Sequence, residues 1–227
     1  VRIPAASCGL FGMKPTRARL PDGPYAGEGW AGMAIDGFLT RSVRDTALML
    51  DACAGADAGA PYWAPPLRHG HADAISRPPR RLRVMLCDTT FTGEAIDAEV
   101  RAAVLAAASL LESLGHQVEP GRPGADVAGM MRAWTDIVAV GSALSLRSAA
   151  ARRGRPIAPE DAEGVSRGAM AHAETLHPTR YLEAVGEIHD FGRQMAAVFD
   201  PEHGGGPDII LSATLAEPPA VVGRYSH

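Results

Sequence analysis

A predicted strand, a long helix and a second strand follow one another between residues 82 and 119, and this order constrains the fold more than any other feature. Residues 82–87 (LRVMLC) form an apolar run flanked by polar residues, which predicts a buried strand. Asp97 can cap a helix that ends at Gly115, and residues 116–119 follow as the next strand. Two strands joined by such a helix pair in parallel through a right-handed crossover. We therefore predict an α/β chain with a mixed, largely parallel sheet flanked by helices.

The rest of the chain divides into regions of different character. Residues 1–39 are rich in glycine and proline and predict short strands and close-packed loops, and Ser42 then starts a helix. An apolar run at 208–211 predicts a further strand. The predicted helical segments between them are 127–152, 159–176 and 178–199. The expected parts of this one partial domain, 1–227, are a sheet-and-helix core portion (1–120), a helical insertion or substrate-side region (121–205) and a late core strand and turn (206–227).

Composition bears on partners and compartment. The 22 basic residues are balanced by 26 acidic ones, so we expect no nucleic acid partner. No apolar run approaches the roughly 18 residues that span a bilayer, so we expect no membrane partner. Cys8, Cys53 and Cys87 form no CxxC pair, which predicts small apolar side chains in a reducing cytoplasm. We expect no cofactor and no metal.

Local motifs single out no active site. His69 and His71 have no third ligand at a zinc spacing, which favours a surface loop. His172, His177 and His189 lie on or between predicted helices and share no motif. The chain does not contain the glycine-rich phosphate loop GxxxxGK[ST].

Four regions of the chain carry a resemblance to a known family, and one of them is the strand, helix and strand between residues 83 and 119. Residues 1–6 (VRIPAA) and 8–17 (CGLFGMKPTR) closely resemble the end of the amidase signature, the motif of the Ser-cisSer-Lys amide hydrolases. Residues 37–45 (GFLTRSVRD) are similar to the start of a helix in that family, although Phe38 and Thr40 replace the usual Pro and Ala. Residues 208–220 resemble a late strand exit. The resemblance spans nearly the whole chain and is weak between about 120 and 205.

The resemblance implies where the chemistry of the family lies. The nucleophilic serine would stand immediately before Val1, and the cis-serine, the catalytic lysine and the oxyanion-hole backbone would lie further upstream. Lys14 is the only lysine of this chain, and it matches a structural position of the motif. We therefore expect no catalytic residue within residues 1–227. The resemblance implies an amidase whose 227-residue portion is inactive alone.

The resemblance also suggests supporting and substrate-side residues. Arg2 directly follows Val1, and its planar fork of donors could brace the turn around the nucleophile. Trp134 and Ser142 lie in the region that is least like the family, where substrate selectivity is expected, and Thr214 could line the same cleft. A tryptophan on an alanine-rich helix is also a common core residue. The expected partner is a small-molecule amide.

Two other interpretations of the chain stay open. It could be a non-catalytic fragment, or a subunit that completes a site only with a partner carrying the upstream motif. The expected protein partner is the upstream part of the same protein, or a second copy in a homodimer. It could also be a separate α/β ligand-binding domain. Residues 29–33 (GWAGM) and 61–66 (PYWAPP) look more like general amidases and cyclic-amide hydrolases than the glutaminase subunit of tRNA amidotransferases.

Overall fold

The computed structural model describes residues 1–200, 202 and 204–225. In chain order, the helices and strands are α1 (Arg2–Cys8), β1 (Phe11–Met13), β2 (Phe38–Thr40), α2 (Val43–Cys53), α3 (His71–Ala74), β3 (Arg83–Cys87), α4 (Ala98–Ser113), β4 (Gln117–Pro120), α5 (Val127–Arg153), α6 (Gly164–Thr175), α7 (Arg180–Val198) and β5 (Ile209–Ser212). The chain forms two compact units. Unit 1 comprises Val1–Arg122 and Pro207–Ala220, and unit 2 comprises Pro123–Gly206 with the segment that begins at Val221. Whether the sequence-based division also separates functional parts stays a prediction.

A three-stranded parallel sheet organises unit 1. Its strand order is β4-β3-β5, and Val84 of the central strand lies opposite Val118 and Ile209. Only 2% of Val84 and 1% of Cys87 is exposed, so the central strand is buried as its apolar run predicted. Helix α4 connects β3 to β4. The predicted α/β class with a parallel sheet and flanking helices is confirmed.

Helix boundaries in unit 1 follow the capping signals of the sequence. The Asp97 carboxylate accepts a hydrogen bond from the Glu99 amide at 2.8 Å at the start of α4. The Ser42 hydroxyl accepts one from the Asp45 amide at 3.1 Å at the start of α2. Leu50 of α2 is 1% exposed, and burial of such a side chain contributes about 2 kcal/mol to folding.

The first residues of the chain correct the sequence-based prediction. Short strands and loops were expected before residue 39, whereas residues 2–8 form α1. Its seven residues make only two turns, too few to show an apolar periodicity in the sequence. Gly9 ends the helix in the left-handed conformation (φ 63°). The expected short strands follow as β1 and β2, which pair antiparallel with Phe11 opposite Thr40.

The structure also places the three cysteines and adds a helix between α2 and β3. Cys87 is buried, whereas Cys8 and Cys53, the last residues of α1 and α2, are exposed. The connection contains α3, whose first amides, those of His71 and Ala72, donate to the Asp51 carboxylate at 2.6 and 2.9 Å. This carboxylate on α2 therefore caps α3 from a distance in sequence.

Unit 2 contains the long helix α5 with α6 and α7. Asp126 caps α5 by accepting from the Gly129 amide at 2.9 Å, and Gly154 (φ 68°) ends it. The predicted helix at 159–176 is shorter than expected, because a 3-10 turn at Pro159–Asp161 precedes α6. The buried face of α5 is mostly small, which allows close helix packing. Its buried members are Ala133, Asp136, Ile137, Ala139 and Ala143.

Candidate functional site

The signature-like segment at 1–17 contains α1 and β1, which pack closely around Val1 together with Gly37, the residue before β2. The Val1 carbonyl accepts the first helical hydrogen bond from the Ala5 amide at 3.0 Å. A Cβ atom placed on Gly12 would lie 2.5 Å from the Ala5 Cβ and 3.0 Å from the Val1 oxygen. A Cβ on Gly37 would lie 2.5 Å from the Met13 oxygen and 3.0 Å from Val1 Cγ2. The start of α1 is therefore enclosed by backbone that approaches too closely for side chains.

Two basic residues of the same segment lie near one another. Arg2 is the exposed first residue of α1, and Lys14 follows β1. Partial burial, followed by the charges of Arg2 and Arg17, lowers the pKa of Lys14 from its ordinary value. The Lys14 ammonium donates to the Pro15 carbonyl at 2.6 Å. Lys14 therefore contacts backbone next to the motif, and the role of Arg2 as a brace stays a prediction.

Thr40, which replaces the usual Ala of the family, forms side-chain hydrogen bonds in the structure. Thr40 Oγ1 donates to the Ser42 carbonyl at 2.7 Å and lies 2.8 Å from Thr46 Oγ1. Because Thr40 uses its one proton on Ser42, Thr46 must donate to Thr40. Thr46 is 1% exposed, so this bond satisfies a buried hydroxyl. The junction between β2 and α2 is fixed by this pair.

Thr214 lies in unit 1 and lines a groove of about 310 Å³. Ala6 of α1, Val100 of α4 and the turn at 214–219 contribute to its lining. The Asp97 amide donates to the Ala216 carbonyl at 2.8 Å and holds this turn against the start of α4. The turn follows the carboxyl end of β5, the side of parallel sheets where ligands commonly bind.

Trp134 and Ser142 lie on α5 in unit 2. At 3.6 residues per turn they stand about 160° and 120° around the helix axis from Asp136, which belongs to the buried face. Trp134 is 37% exposed and Ser142 is partly exposed. The structure therefore brings these two residues onto the open side of α5, while Thr214 belongs to the other unit. Their contact with a substrate stays a prediction.

Asp136 holds the three helices of unit 2 together, and sequence reasoning missed it. Its carboxylate lies 2.8 Å from His172 Nε2 of α6 and accepts from Arg180 Nε of α7 at 2.7 Å. Arg180 also donates to Glu187. Burial acts to raise the pKa of Asp136, but the hydrogen bonds and charges of His172 and Arg180 outweigh it and lower the pKa. The sequence did contain one signal for this cluster, an aspartate on the alanine-rich face of a helix. A buried acid is almost always paired with a basic group, so its position indicated a partner on a neighbouring element.

The Asp136 cluster borders a cleft of about 740 Å³ in unit 2. Its carboxylate, imidazole and guanidinium groups bind one another, and this arrangement joins helices. In the described part of the chain, no group of three or more His, Cys, Asp or Glu side chains is placed to hold a metal ion. None of the described helices combines the length and the apolar character that crossing a membrane requires.

The parallel sheet, the crossover helix and the glycine-packed signature-like segment agree with the class of amide hydrolase that the sequence resembles. The chain belongs to the amidase family, whose sequence model, described as Amidase, matches residues 1–227. It is 30% identical over 228 aligned positions to the 6-aminohexanoate-cyclic-dimer hydrolases of Paenarthrobacter ureafaciens and of Pseudomonas sp. (strain NK87). Each alignment covers 99% of this chain and 45% of the relative. The chain thus spans less than half the length of these relatives.

Solved structures agree with the sequence comparison. The structure of a 6-aminohexanoate cyclic dimer hydrolase complexed with substrate matches with a TM-score of 0.81 and 32% identity, over 88% of this chain and 42% of the other. A bacterial aryl acylamidase of the amidase signature family matches with a TM-score of 0.81 over 97% of this chain and 44% of the other. At 22% identity, the second likeness concerns the fold alone. The fold of this chain is that of the amidase signature enzymes.

Proposed function

We propose that the protein containing these residues hydrolyses a linear or cyclic carboxamide through an acyl-enzyme intermediate. The observation that carries this proposal is the match of all 227 residues to the amidase family, together with relatives named for hydrolysis of a cyclic amide dimer. The signature-like segment at the start of the chain supports it, since that motif directly follows the nucleophile in the family.

The proposed mechanism uses residues upstream of Val1. A neutral lysine accepts the proton of the cis-serine, which in turn accepts the proton of the nucleophilic serine as that serine attacks the amide carbonyl. Backbone N–H groups stabilise the negative oxygen that develops. The relay returns the proton to the departing amine, and water then hydrolyses the acyl-enzyme to the carboxylic acid. In this scheme residues 1–227 are inactive alone.

Residues 1–227 contribute support and substrate contacts in this proposal. Arg2 braces the segment around the serine, and Trp134, Ser142 and Thr214 contact the amide substrate. The exposed indole of Trp134 and the position of Thr214 beside an apolar groove support these roles. The three free cysteines support a cytoplasmic location, because none of them is held in a disulfide.

The test uses the complete protein, with linear aliphatic amides, aryl amides and the cyclic dimer of 6-aminohexanoate as substrates. We expect release of the carboxylic acid and amine, and labelling of one serine by a fluorophosphonate. A folded complete protein that turns over none of these amides and is not labelled would contradict the proposal. Activity that arises only on mixing with a separate polypeptide would instead support the alternative in which two chains complete one site.

The substrate contacts have their own matched test. Trp134→Ala is expected to raise KM about 5- to 30-fold, because an aromatic contact contributes roughly 1–2 kcal/mol to binding. Leu144→Ala is the control, since Leu144 is also exposed on α5 (64%) but is not a proposed contact. Equal KM values for the two variants would remove Trp134 from the site.

A further inference from the structure

Gly12 and Gly37 both lie against Val1, the residue directly before α1. Neither has a positive φ, so neither is required to be glycine by its backbone conformation. Both are required by space, because Cβ atoms at these positions would approach within 3.0 Å of Val1 atoms. We propose that Gly12 and Gly37 are positioning residues, which set the place of Val1 and thereby of the nucleophilic serine. This inference rests on the proposed function, which puts that serine directly before Val1.

Gly12 sets how closely β1 approaches α1. A Cβ here would be 2.5 Å from the Ala5 Cβ, and ordinary carbon contacts are about 3.5–4.0 Å. The strand cannot easily retreat, because Gly12 is paired with Leu39 in the β1–β2 ladder. A side chain at position 12 would therefore displace α1 by about 1 Å.

Gly37 acts from the other side of Val1. Its Cβ would meet the Met13 carbonyl at 2.5 Å and the Val1 side chain at 3.0 Å, with Pro15 Cδ at 3.3 Å. A backbone carbonyl and a proline ring have little freedom to move aside. The Val1 side chain would then have to yield, and the start of α1 would move with it.

Displacing the nucleophilic serine should lower kcat more than it weakens substrate binding. Misplacement of a reacting group by about 1 Å can cost on the order of 100-fold in rate. Substrate contacts elsewhere would be unaffected. We therefore expect Gly12→Ala and Gly37→Ala in the complete protein to lower kcat about 10- to 100-fold, with KM within about threefold of wild type. Fluorophosphonate labelling should slow by the same factor as kcat.

A control variant and a rescue variant distinguish a misplaced serine from a general loss of stability. Gly168→Ala in α6 adds a methyl group where no atom lies within 4 Å, so we expect wild-type kcat and labelling. Ala5→Gly combined with Gly12→Ala removes the shortest contact, at 2.5 Å, and leaves the 3.0 Å approach to the Val1 oxygen, which a shift of a few tenths of an ångström relieves. We expect this double variant to recover most of the lost kcat, although replacing Ala5 by glycine in a helix lowers stability. Labelling rates are compared per folded molecule, measured by circular dichroism.

The outcomes are distinct. A wild-type protein without amidase activity would contradict the proposed function. An active wild type with unchanged kcat in Gly12→Ala and Gly37→Ala would contradict the positioning role alone. If Gly37→Ala does not fold, the comparison of Gly12→Ala with the double variant Ala5→Gly/Gly12→Ala tests the inference. A higher kcat in the double variant supports the positioning role. A folded double variant whose kcat is as low as that of Gly12→Ala overturns it.

Discussion

The signature segment of unit 1 and the helices of unit 2 are held together by different means. Around Val1 the close packing depends on the missing side chains of Gly12 and Gly37, because a Cβ atom at either position would lie within 3.0 Å of Val1. In unit 2 the packing depends on charge, because Asp136 joins three helices through His172 and Arg180. A spatial requirement dictates one residue type at one position, whereas an ion pair can be built from several residue types at several positions. The resemblance to the family is accordingly clear in residues 1–17 and 37–45 and weak between about 120 and 205.

The largest effect is expected from removing the Asp136 carboxylate. Asp136→Ala leaves the Arg180 guanidinium and His172 without their shared partner, and we expect a loss of about 3 kcal/mol in the free energy of unfolding. Urea unfolding measures this value, and hydrogen exchange should show the loss of protection in peptides of α5, α6 and α7. Asp190→Ala, an exposed position on α7, is the control and should change stability by less than about 0.5 kcal/mol. Equal effects of the two variants would show that the cluster does not hold unit 2 together.

The Thr40–Thr46 pair tests a contact that is local to unit 1. Thr40→Ala removes the acceptor of the buried Thr46 hydroxyl, and an unsatisfied hydroxyl costs about 1–2 kcal/mol. Adding Thr46→Val removes the hydroxyl itself, so the double variant should be more stable than Thr40→Ala. Thermal unfolding of the four proteins completes the cycle. Simple additivity of the two changes would show that the hydroxyls are not coupled.

Much of unit 1 could be predicted from the sequence because its signals are local. The apolar run at 82–87, the Asp97 cap and the Gly115 stop lie within one stretch of chain, and the sheet follows from their order. Helix α1 could not be predicted, since seven residues do not establish a period. The cap that Asp51 provides to α3 was also beyond reach, because the carboxylate and the amides are 20 and 21 residues apart.

The candidate site was predictable only where a motif carries it. The residues around Val1 were identified from the signature, but the reason for their glycines is visible only when α1, β1 and residue 37 are placed together. Trp134 and Ser142 were chosen from an unusual region, and their position on the open side of α5 required its buried face to be known. The ion pairs of Asp136 depend on residues 36 and 44 positions away, which no local pattern reports.

A pH profile sharpens the comparison, because each unit contains a carboxylate with a lowered pKa. Hydrogen bonds from Arg155 and the Ala158 amide lower the pKa of Asp161 in unit 2, and those from Arg80 and the Arg83 amide lower the pKa of Asp208 in unit 1. A lowered folded-state pKa gives stability that is complete above the unfolded-state value near 3.9 and is lost as the pH falls. Asp161→Asn and Asp208→Asn should therefore be less stable than wild type at pH 7.

The difference between each variant and wild type should shrink as the pH falls below about 4, since the wild-type carboxylate then becomes protonated. The arginine partners are exposed, so we expect effects smaller than that of Asp136→Ala and smaller still at 1 M salt. Urea unfolding at pH 7, 5, 4 and 3 measures the profile. A difference that stays constant from pH 7 to pH 3 would mean that the carboxylate charge is not the source of the stability.

The smallest effect should have the opposite sign. Gly186 lies inside α7, and a Cβ there would meet no atom within 4 Å. Gly186→Ala is therefore expected to stabilise the protein by about 0.5–1 kcal/mol, because alanine loses less backbone entropy than glycine in a helix. Thermal unfolding measures the gain, with Gly12→Ala as the paired variant that should lose stability. If Gly12→Ala were stabilised like Gly186→Ala, β1 and α1 could separate freely, and the close approach around Val1 would not determine the position of the helix.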